Sequence, residues 1–194
     1  ARVEKQLHPD PHSVLGAHPA SKGQGYTVRV LRAGATSVRL LLPGGQSART
    51  KKLRGTSCFE AQVTADPGRY RVEATYPDRV ETKFDPYSFA PVLGEMDLHL
   101  FAHGQHARIH ERLGAHLLVH EGVAGVSFGV WAPNALGVRV LGDFNAWSGL
   151  DTAMRRLGGG VWELFLPEIE EGALYKFEVQ TRRGPIDKSD PFGR

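Results

Sequence analysis

The sequence is poor in cysteine: Cys58 is the single one among 194 residues. A lone cysteine cannot form an internal disulfide, which excludes a disulfide-stapled scaffold and is typical of a reducing compartment, so we expect a cytoplasmic protein. No apolar run approaches the roughly 20 residues of a membrane-spanning helix, and residues 1–6 carry no apolar core of a signal peptide. We therefore expect no membrane partner.

Residues with catalytic or cofactor-binding side chains also do not occur at the spacings that catalysis or cofactor binding requires. Gly44 and Gly45 are not followed by Lys and Ser or Thr, as a nucleotide-binding loop would be. His99 and His103 are spaced to share one helix face, but no third metal ligand is evident. The glutamates in 168–171 lie in a predicted solvated turn, where no apolar surroundings would raise the pKa of a general acid. We expect no catalytic residue, no cofactor and no metal.

The excess of positive charge is small, with 24 lysines and arginines against 21 aspartates and glutamates. The arginines alternate with apolar residues, as in Val28-Arg29-Val30 and Val38-Arg39-Leu40. That pattern is typical of the solvent-facing side of a strand and not of a concentrated basic patch. We therefore expect no nucleic-acid partner.

What the sequence does have is an internal repeat. Four short motifs return in the same order, about 98 to 105 residues later. A period of this length is too long for a solenoid, so each copy should be a small domain, and we place the domains at residues 1–93 and 94–194. The paired motifs are Leu15-Gly16-Ala17-His18 with Leu113-Gly114-Ala115-His116, Val38-Arg39-Leu40 with Val138-Arg139-Val140, Tyr70-Arg71-Val72-Glu73 with Tyr175-Lys176-Phe177-Glu178, and Asp85-Pro86-Tyr87 with Asp190-Pro191-Phe192.

Alternation of apolar and polar residues predicts short strands in both copies. Turn residues separate these strands at close spacing, which is typical of an antiparallel sandwich. We predict an all-β fold of two tandem immunoglobulin-like β-sandwich domains, joined by a short partly helical linker in 94–113, and we expect the two copies to superpose. The predicted strands are 26–31, 38–42, 59–63, 70–76 and 80–84 in the first copy, and 126–131, 138–141, 162–166 and 175–180 in the second.

All three tryptophans lie in the second copy. Trp131 and Trp162 fall within predicted strands, where we expect them to pack in the core. Trp147 lies in a turn-rich segment with few neighbours to bury it. An exposed indole, with Asn145 and Lys176 as hydrogen-bonding groups, suits a sugar, which has an apolar CH face and a polar edge. The alternative is that Trp147 packs under its own loop or against another domain.

Longer motifs surround the repeated ones. They are Phe128-Gly129-Val130-Trp131-Ala132-Pro133-Asn134-Ala135 and Gly142-Asp143-Phe144-Asn145-Ala146-Trp147 in the second copy, and His8-Pro9-Asp10-Pro11-His12-Ser13-Val14-Leu15-Gly16-Ala17-His18 in the first. With these motifs the second copy resembles the family-48 carbohydrate-binding module, which precedes the catalytic barrel in the α-amylase superfamily. The first copy resembles the additional amino-terminal module of bacterial glycogen branching enzymes, and the doubled arrangement resembles 1,4-α-glucan branching enzymes of the long-amino-terminus type.

The resemblance implies a non-catalytic region that binds and positions glucan. In that family, a (β/α)₈ barrel with a carboxylate nucleophile and a carboxylic acid cuts an α-1,4-glucan chain and rejoins it through an α-1,6 branch. The sequence contains no such barrel, so we expect the chain to be inactive alone. Its expected partners are an α-glucan (glycogen or a maltooligosaccharide), bound weakly, and the missing catalytic barrel of the same polypeptide.

The resemblance also implies which residues contact the sugar. Trp147 and Lys176 match the glucan contacts of starch-binding relatives, which use a second Trp shortly after the Tyr-Lys-Phe strand; here 182–186 contains none. The alternative is a purely structural role, in which the domains brace the barrel of an α-amylase-superfamily enzyme such as a debranching enzyme or a trehalohydrolase. An exposed Trp147 favours binding and a buried one favours bracing. We also expect exposed apolar surface at Pro191-Phe192 and in the linker.

Overall fold

The computed structural model describes residues 8–20 and 24–193, so residues 1–6, where no signal segment is expected, lie outside the described ranges. The described residues pack into two compact units: the first unit, residues 12–89, and the second unit, residues 90–193 together with 8–11. Both units consist of antiparallel strands with short turns, which confirms the all-β prediction. Among the described residues, none of the helical segments has the length and apolar character of a membrane span.

The first unit is a sandwich of two four-stranded sheets. Its strands are β1 (Gly16–Pro19), β2 (Tyr26–Leu31), β3 (Ser37–Leu41), β4 (Ser47–Arg49), β5 (Lys51–Lys52), β6 (Cys58–Val63), β7 (Arg71–Thr75) and β8 (Val80–Phe84). The strand order is β1-β2-β6-β5 in one sheet and β4-β3-β7-β8 in the other. Alternate residues such as Val30 and Leu40 are fully buried and form the core, as a period of two along each strand requires.

The second unit contains helix α1 (Glu95–Ala102) and seven strands. These are β9 (Gly114–His120), β10 (Val123–Trp131), β11 (Gly137–Gly142), β12 (Arg155–Arg156), β13 (Val161–Pro167), β14 (Tyr175–Thr181) and β15 (Gly184–Lys188). The strand orders are β12-β13-β10-β9 and β11-β14-β15. Trp162, Phe128 and Phe177 are buried in its core, so the prediction for Trp162 is confirmed.

The two units share one topology. Strand for strand, β1-β2-β6-β5 matches β9-β10-β13-β12, and β3-β7-β8 matches β11-β14-β15. The counterpart of β4 is a single bridge between Arg139 and Ala153, in the register of the Arg39–Arg49 pair. The repeated Val-Arg motifs lie in the matching strands β3 and β11, so the predicted duplication is confirmed.

The predicted helical turns of the linker are present in the second unit. Helix α1 is followed by a 3-10 turn at Ile109–Glu111. Leu98 and Phe101 pack against a small apolar cluster of Leu93, Leu113 and Val161. Val161 alternates with the core residue Trp162 along β13, so this cluster lies on the side of the sheet that faces away from the sandwich core.

The prediction that Trp131 packs in the core is wrong. Trp131 is the last residue of β10 and remains 58% exposed. Its indole N–H donates to the carbonyl of Gly159 at 3.0 Å. It borders an apolar cleft of about 420 Å³ with Phe101, Ile109 and Phe192, which is the exposed apolar surface expected in the linker and near Pro191-Phe192. Alternation predicts the side of the strand on which Trp131 lies, but not that this side is left uncovered at the strand end.

Candidate functional site

The predicted sugar-binding residues meet at the loop that follows β11. After Gly142 the loop makes a 3-10 turn over Asp143–Asn145 and continues with Ala146 and Trp147, whose φ angles are 50° and 58°. Non-glycine residues rarely adopt positive φ, so the surrounding contacts must hold this conformation. One of them is the hydrogen bond from the Trp147 backbone N–H to the Gly142 carbonyl, at 3.0 Å.

Asn145 braces this loop from inside. Its amide group donates to the Val140 carbonyl at 2.9 Å and to the Thr152 hydroxyl at 3.0 Å, and its amide oxygen accepts the N–H of Gly142 at 3.0 Å. One donor bond therefore ends on strand β11 and the other on the loop itself. The structure gives Asn145 a role in positioning Trp147, and a direct contact of Asn145 with sugar stays a prediction.

Asp143 joins the loop to the start of β14. One carboxylate oxygen accepts the indole N–H of Trp147 at 3.1 Å, and the other accepts the backbone N–H of Leu174 at 3.0 Å. The backbone N–H of Asp143 also donates to the Leu174 carbonyl, at 3.1 Å. A Cβ at Gly142 would lie 2.6 Å from that carbonyl, so the close approach requires glycine. Sequence reasoning missed Asp143; the available signal was a carboxylate four residues before a loop tryptophan.

The indole of Trp147 remains accessible, because the residue is 42% exposed. Lys176 is exposed on β14 opposite Leu141, with its Nζ 6.0 Å from the centroid of the Trp147 ring. This distance is at the outer limit of a cation–π contact, which lies at about 6 Å. The structure thus brings all three predicted residues together, with Trp147 and Lys176 at the surface and Asn145 beneath them.

This surface combines a flat apolar ring with a cationic hydrogen-bond donor. A pyranose ring offers the complementary groups, because its CH face can stack on the indole while its hydroxyls accept from the ammonium group. The ring is held by two hydrogen bonds, one from the Trp147 backbone and one from its indole nitrogen. A ligand would therefore meet a preformed platform, and the ordering cost of binding would be small.

The 182–186 segment, where the resemblance implies a second tryptophan that this sequence lacks, lies in the β14–β15 hairpin. Arg182 and Arg183 make its turn, and Ile186 lies in β15 opposite Val179. Ile186 is 43% exposed, so the position is accessible. A branched aliphatic side chain offers no flat ring, however, and the surface at Trp147 has one aromatic platform.

The histidines of the linker are engaged with one another and with a carboxylate. His99 and His103 have ring centroids 4.2 Å apart, and His103 Nδ1 donates to the His99 carbonyl at 2.8 Å. His106 and Arg112 both donate to Asp97, each at 3.1 Å. Burial would by itself raise the pKa of Asp97, but these hydrogen bonds outweigh it and lower the pKa. Within the described ranges, no three His, Cys, Asp or Glu residues are grouped to hold a metal ion.

Glu163 is a fully buried carboxylate in the middle of β13. Its oxygens accept the backbone N–H groups of Val92 at 3.0 Å and Leu93 at 2.6 Å, and Arg155 lies 3.9 Å away. Burial raises the pKa of Glu163, although these hydrogen bonds and Arg155 oppose the shift. Glu163 thus fastens the segment just before the linker to the sheet. Strand periodicity could not reveal this structural role, because alternation places the residue on the side away from the sandwich core.

Comparison with known proteins matches the two halves separately. Residues 1–87 match the family model of the alpha-1,4-glucan branching enzyme GlgB N-terminal domain. Residues 112–193 match the family model of carbohydrate-binding module 48, the isoamylase N-terminal domain. The Trp147 loop and Lys176 both lie within the second match.

Two curated relatives carry the same name. The chain is 48% identical, over 98% of its length, to the 1,4-alpha-glucan branching enzyme GlgB of Myxococcus xanthus, of which it covers 26%. It is 43% identical, over 98% of its length, to the same enzyme of Pseudomonas aeruginosa, of which it covers 27%. The chain thus spans about a quarter of the length of these curated relatives. A solved pullulanase from an Anoxybacillus species, complexed with maltotetraose, is similar at a TM-score of 0.36 and 16% identity over 91% of this chain and 24% of that one, a likeness too distant to carry an argument.

Both family models match in the order in which the sequence motifs suggested them. The relatives at 43–48% identity extend across both matches. Residues 1–87 therefore belong to the GlgB N-terminal domain family and residues 112–193 to the carbohydrate-binding module 48 family, and the relatives that extend across both are 1,4-alpha-glucan branching enzymes.

Proposed function

We propose that the chain is the non-catalytic glucan-binding and positioning region of a glycogen branching enzyme. The whole enzyme, in this proposal, transfers α-1,4-glucan segments to form α-1,6 branches, as the names of the relatives suggest. The observation that carries the proposal is an exposed Trp147, held in a fixed orientation beside Lys176, within residues that match a carbohydrate-binding module. This region binds the sugar, and catalysis belongs to the remainder of the enzyme.

Each residue of the proposed site has one task. Trp147 stacks on the CH face of a glucose unit, and Lys176 donates hydrogen bonds to hydroxyls at the edge of the ring. Asn145 and Asp143 are positioning residues, because their hydrogen bonds fix the loop and the indole.

The proposed site should bind weakly. One aromatic contact contributes about 0.5–1.5 kcal/mol beyond area burial, and a few exposed hydrogen bonds add about 1 kcal/mol each. The sum is on the order of 3–5 kcal/mol, which corresponds to a dissociation constant near millimolar. A second aromatic platform, absent from the 182–186 segment, would be needed for tight binding.

Titration of the chain with maltoheptaose, followed by tryptophan fluorescence, tests the proposal. We expect saturable binding in the millimolar range, its loss in Trp147→Ala and a weaker affinity in Lys176→Ala. Trp131→Ala is the matched control, because Trp131 is also exposed in the second unit but lies outside the site. Binding that persists unchanged in Trp147→Ala would place the site elsewhere.

A second candidate function is bracing of a catalytic barrel. The observation that favours it is the apolar cleft at Trp131 and Phe192, because monomeric proteins rarely expose large apolar patches. Bracing without sugar contact predicts no maltoheptaose binding up to tens of millimolar, and no difference between Trp147→Ala and the unmodified chain. The same titration therefore separates the two candidates.

A further inference from the structure

A second cleft lies close to the Trp147 loop, within the second unit. Its volume is about 480 Å³, and it lies between β9 and the 168–175 segment that leads into β14. This volume falls in the range of about 300–1,000 Å³ that is typical of ligand clefts. Its apolar lining includes Leu117, Val126, Phe128 and Leu174.

The rim of this cleft is polar. Glu170, Glu171 and His110 line it and are exposed to solvent. Carboxylates accept hydrogen bonds from hydroxyl groups and repel anionic ligands. An apolar ligand would remove water from them without replacing its hydrogen bonds, which costs free energy. Apolar lining and carboxylate acceptors together therefore favour a neutral, hydroxyl-rich ligand with an apolar face, which is the chemistry of a sugar.

Leu174 connects this cleft with the Trp147 surface. It lines the cleft, is 66% exposed, and precedes Lys176 by two residues. Its backbone N–H and carbonyl are both hydrogen-bonded to Asp143, the residue that also holds the Trp147 indole. The two surfaces are therefore contiguous.

We propose that this cleft is a second subsite for the α-glucan chain, so that a bound oligosaccharide runs from Trp147 over Leu174 toward Leu117 and the glutamates of the rim. The proposal rests on the proposed function of the Trp147 site and extends it. It predicts that affinity depends on chain length, because a short oligosaccharide occupies the Trp147 surface alone and a longer one occupies both.

The test compares maltotriose with maltoheptaose on the intact chain, by calorimetry and by NMR of the leucine methyl groups and the Trp147 indole N–H. We expect maltoheptaose to bind about tenfold more tightly, which is about 1.4 kcal/mol, and to shift the Leu117 methyl resonances. Maltotriose should shift the Trp147 indole and leave Leu117 unmoved.

Leu117→Asp removes apolar lining on the β9 side of the cleft and should reduce maltoheptaose affinity to that of maltotriose, with maltotriose binding unchanged. Leu117 is 55% exposed, so the substitution does not disturb the core. Val80→Asp, at a 62% exposed position of the first unit, is the matched control and should preserve the tenfold ratio.

Two other results would overturn the subsite. If maltoheptaose shifts the Trp147 indole but not Leu117 and binds no more tightly than maltotriose, the subsite is wrong and the Trp147 site stands. If maltoheptaose shifts neither group, both proposals fall.

Discussion

The two units share their strand order and several individual hydrogen bonds. They differ in the regions for which a function is proposed. In each unit a histidine ring donates to a backbone carbonyl three residues earlier, and a tyrosine hydroxyl donates to an aspartate fifteen residues later. The recurrent pairs are His18 with Leu15, His116 with Leu113, Tyr70 with Asp85, and Tyr175 with Asp190. All eight residues belong to the repeated motifs, so the sequence repeats mark hydrogen bonds that the two units share.

The first difference is the length of one loop. In the first unit, a tight turn at Pro43–Gly45 follows β3. Arg39 and Arg139 occupy matching positions, and their partners across the sheet are Arg49 and Ala153, so the connection is four residues longer in the second unit. The added length carries the proposed sugar-binding loop. The proposed binding surface thus lies on an addition to one loop, while the strand order of the two units is the same.

The second difference concerns one glutamate of the sheet. Glu60 in β6 pairs with Arg29 at 2.8 Å on a partly exposed surface. Glu163 occupies the matching position in β13, but its neighbour across the sheet is Gly129, where a Cβ would lie 2.7 Å from the Arg112 carbonyl. Glycine therefore lets the linker approach the strand and bury the carboxylate. The same position is a surface ion pair in one unit and a buried anchor in the other.

The largest expected effect is a loss of stability in Glu163→Ala relative to Glu60→Ala. Removal of Glu163 takes the acceptor from the N–H groups of Val92 and Leu93 and a partner from Arg155, which should cost about 3–5 kcal/mol of unfolding free energy. Glu60→Ala should cost less than about 1 kcal/mol, because its ion pair is exposed. Urea unfolding followed by circular dichroism measures both. Equal losses would show that the linker does not bury Glu163 in solution.

An intermediate effect is expected for the two tyrosine–aspartate pairs. Tyr70 and Asp85 are both buried, and burial raises the pKa of Tyr70. Tyr70→Phe should therefore cost about 1.5–3 kcal/mol, because a buried carboxylate loses a donor. Tyr175→Phe should cost about 0.5–1.5 kcal/mol, because Asp190 is partly exposed and keeps the N–H of Phe192 as a donor. Thermal unfolding of the two variants in parallel measures the difference, and a reversed order would contradict the burial argument.

The smallest effect concerns acid stability. Asp97, whose hydrogen bonds with His106 and Arg112 lower its pKa, is part of the linker that only the second unit has. Because the pKa is lower in the folded state, ionised Asp97 stabilises the fold at pH values above its unfolded pKa of about 3.9. This stabilisation is lost as the pH falls through the lower pKa of the folded state. We expect less than about 1 kcal/mol, because Asp97 is partly solvated.

This effect can be read from the second unit alone, since all three tryptophans belong to it. Unfolding monitored by tryptophan fluorescence should show a less steep loss of stability with acid in Asp97→Asn than in the unmodified chain. Superimposable pH curves for the two proteins would contradict the role of Asp97.

Much of the fold could be predicted from the sequence, because strand alternation and turn residues are local signals. The strand at Val80–Phe84 and the helical turns after Gly94 are where the pattern places them. The strand β9, by contrast, was not predicted. It lies at the edge of its sheet, and its exposed positions carry the apolar residues Leu117 and Val119, so residue type does not follow exposure along it.

The residues of the candidate site could be predicted from the sequence, but the hydrogen bonds that position them could not. Trp147 and Lys176 could be named because a loop tryptophan without local partners, and the family resemblance, pointed to them. The tasks of Asp143 and Asn145 could not be, because their partners Leu174 and Thr152 lie outside the motif that contains them. Trp131 was misplaced for a related reason: a strand pattern does not show whether its outer side is covered.

The sequence by itself determined the duplication and the all-β class and pointed to the residues of the proposed platform, since each depends on residue types and motifs that can be read along the chain. Tertiary structure alone decided that Glu163 is buried under the linker, that Asn145 supports the loop from inside, and that Leu174 joins the Trp147 surface to a second cleft. These outcomes depend on which segments approach one another across the sheet. Burial and hydrogen-bond partners are properties of such long-range contacts, and no local pattern records them.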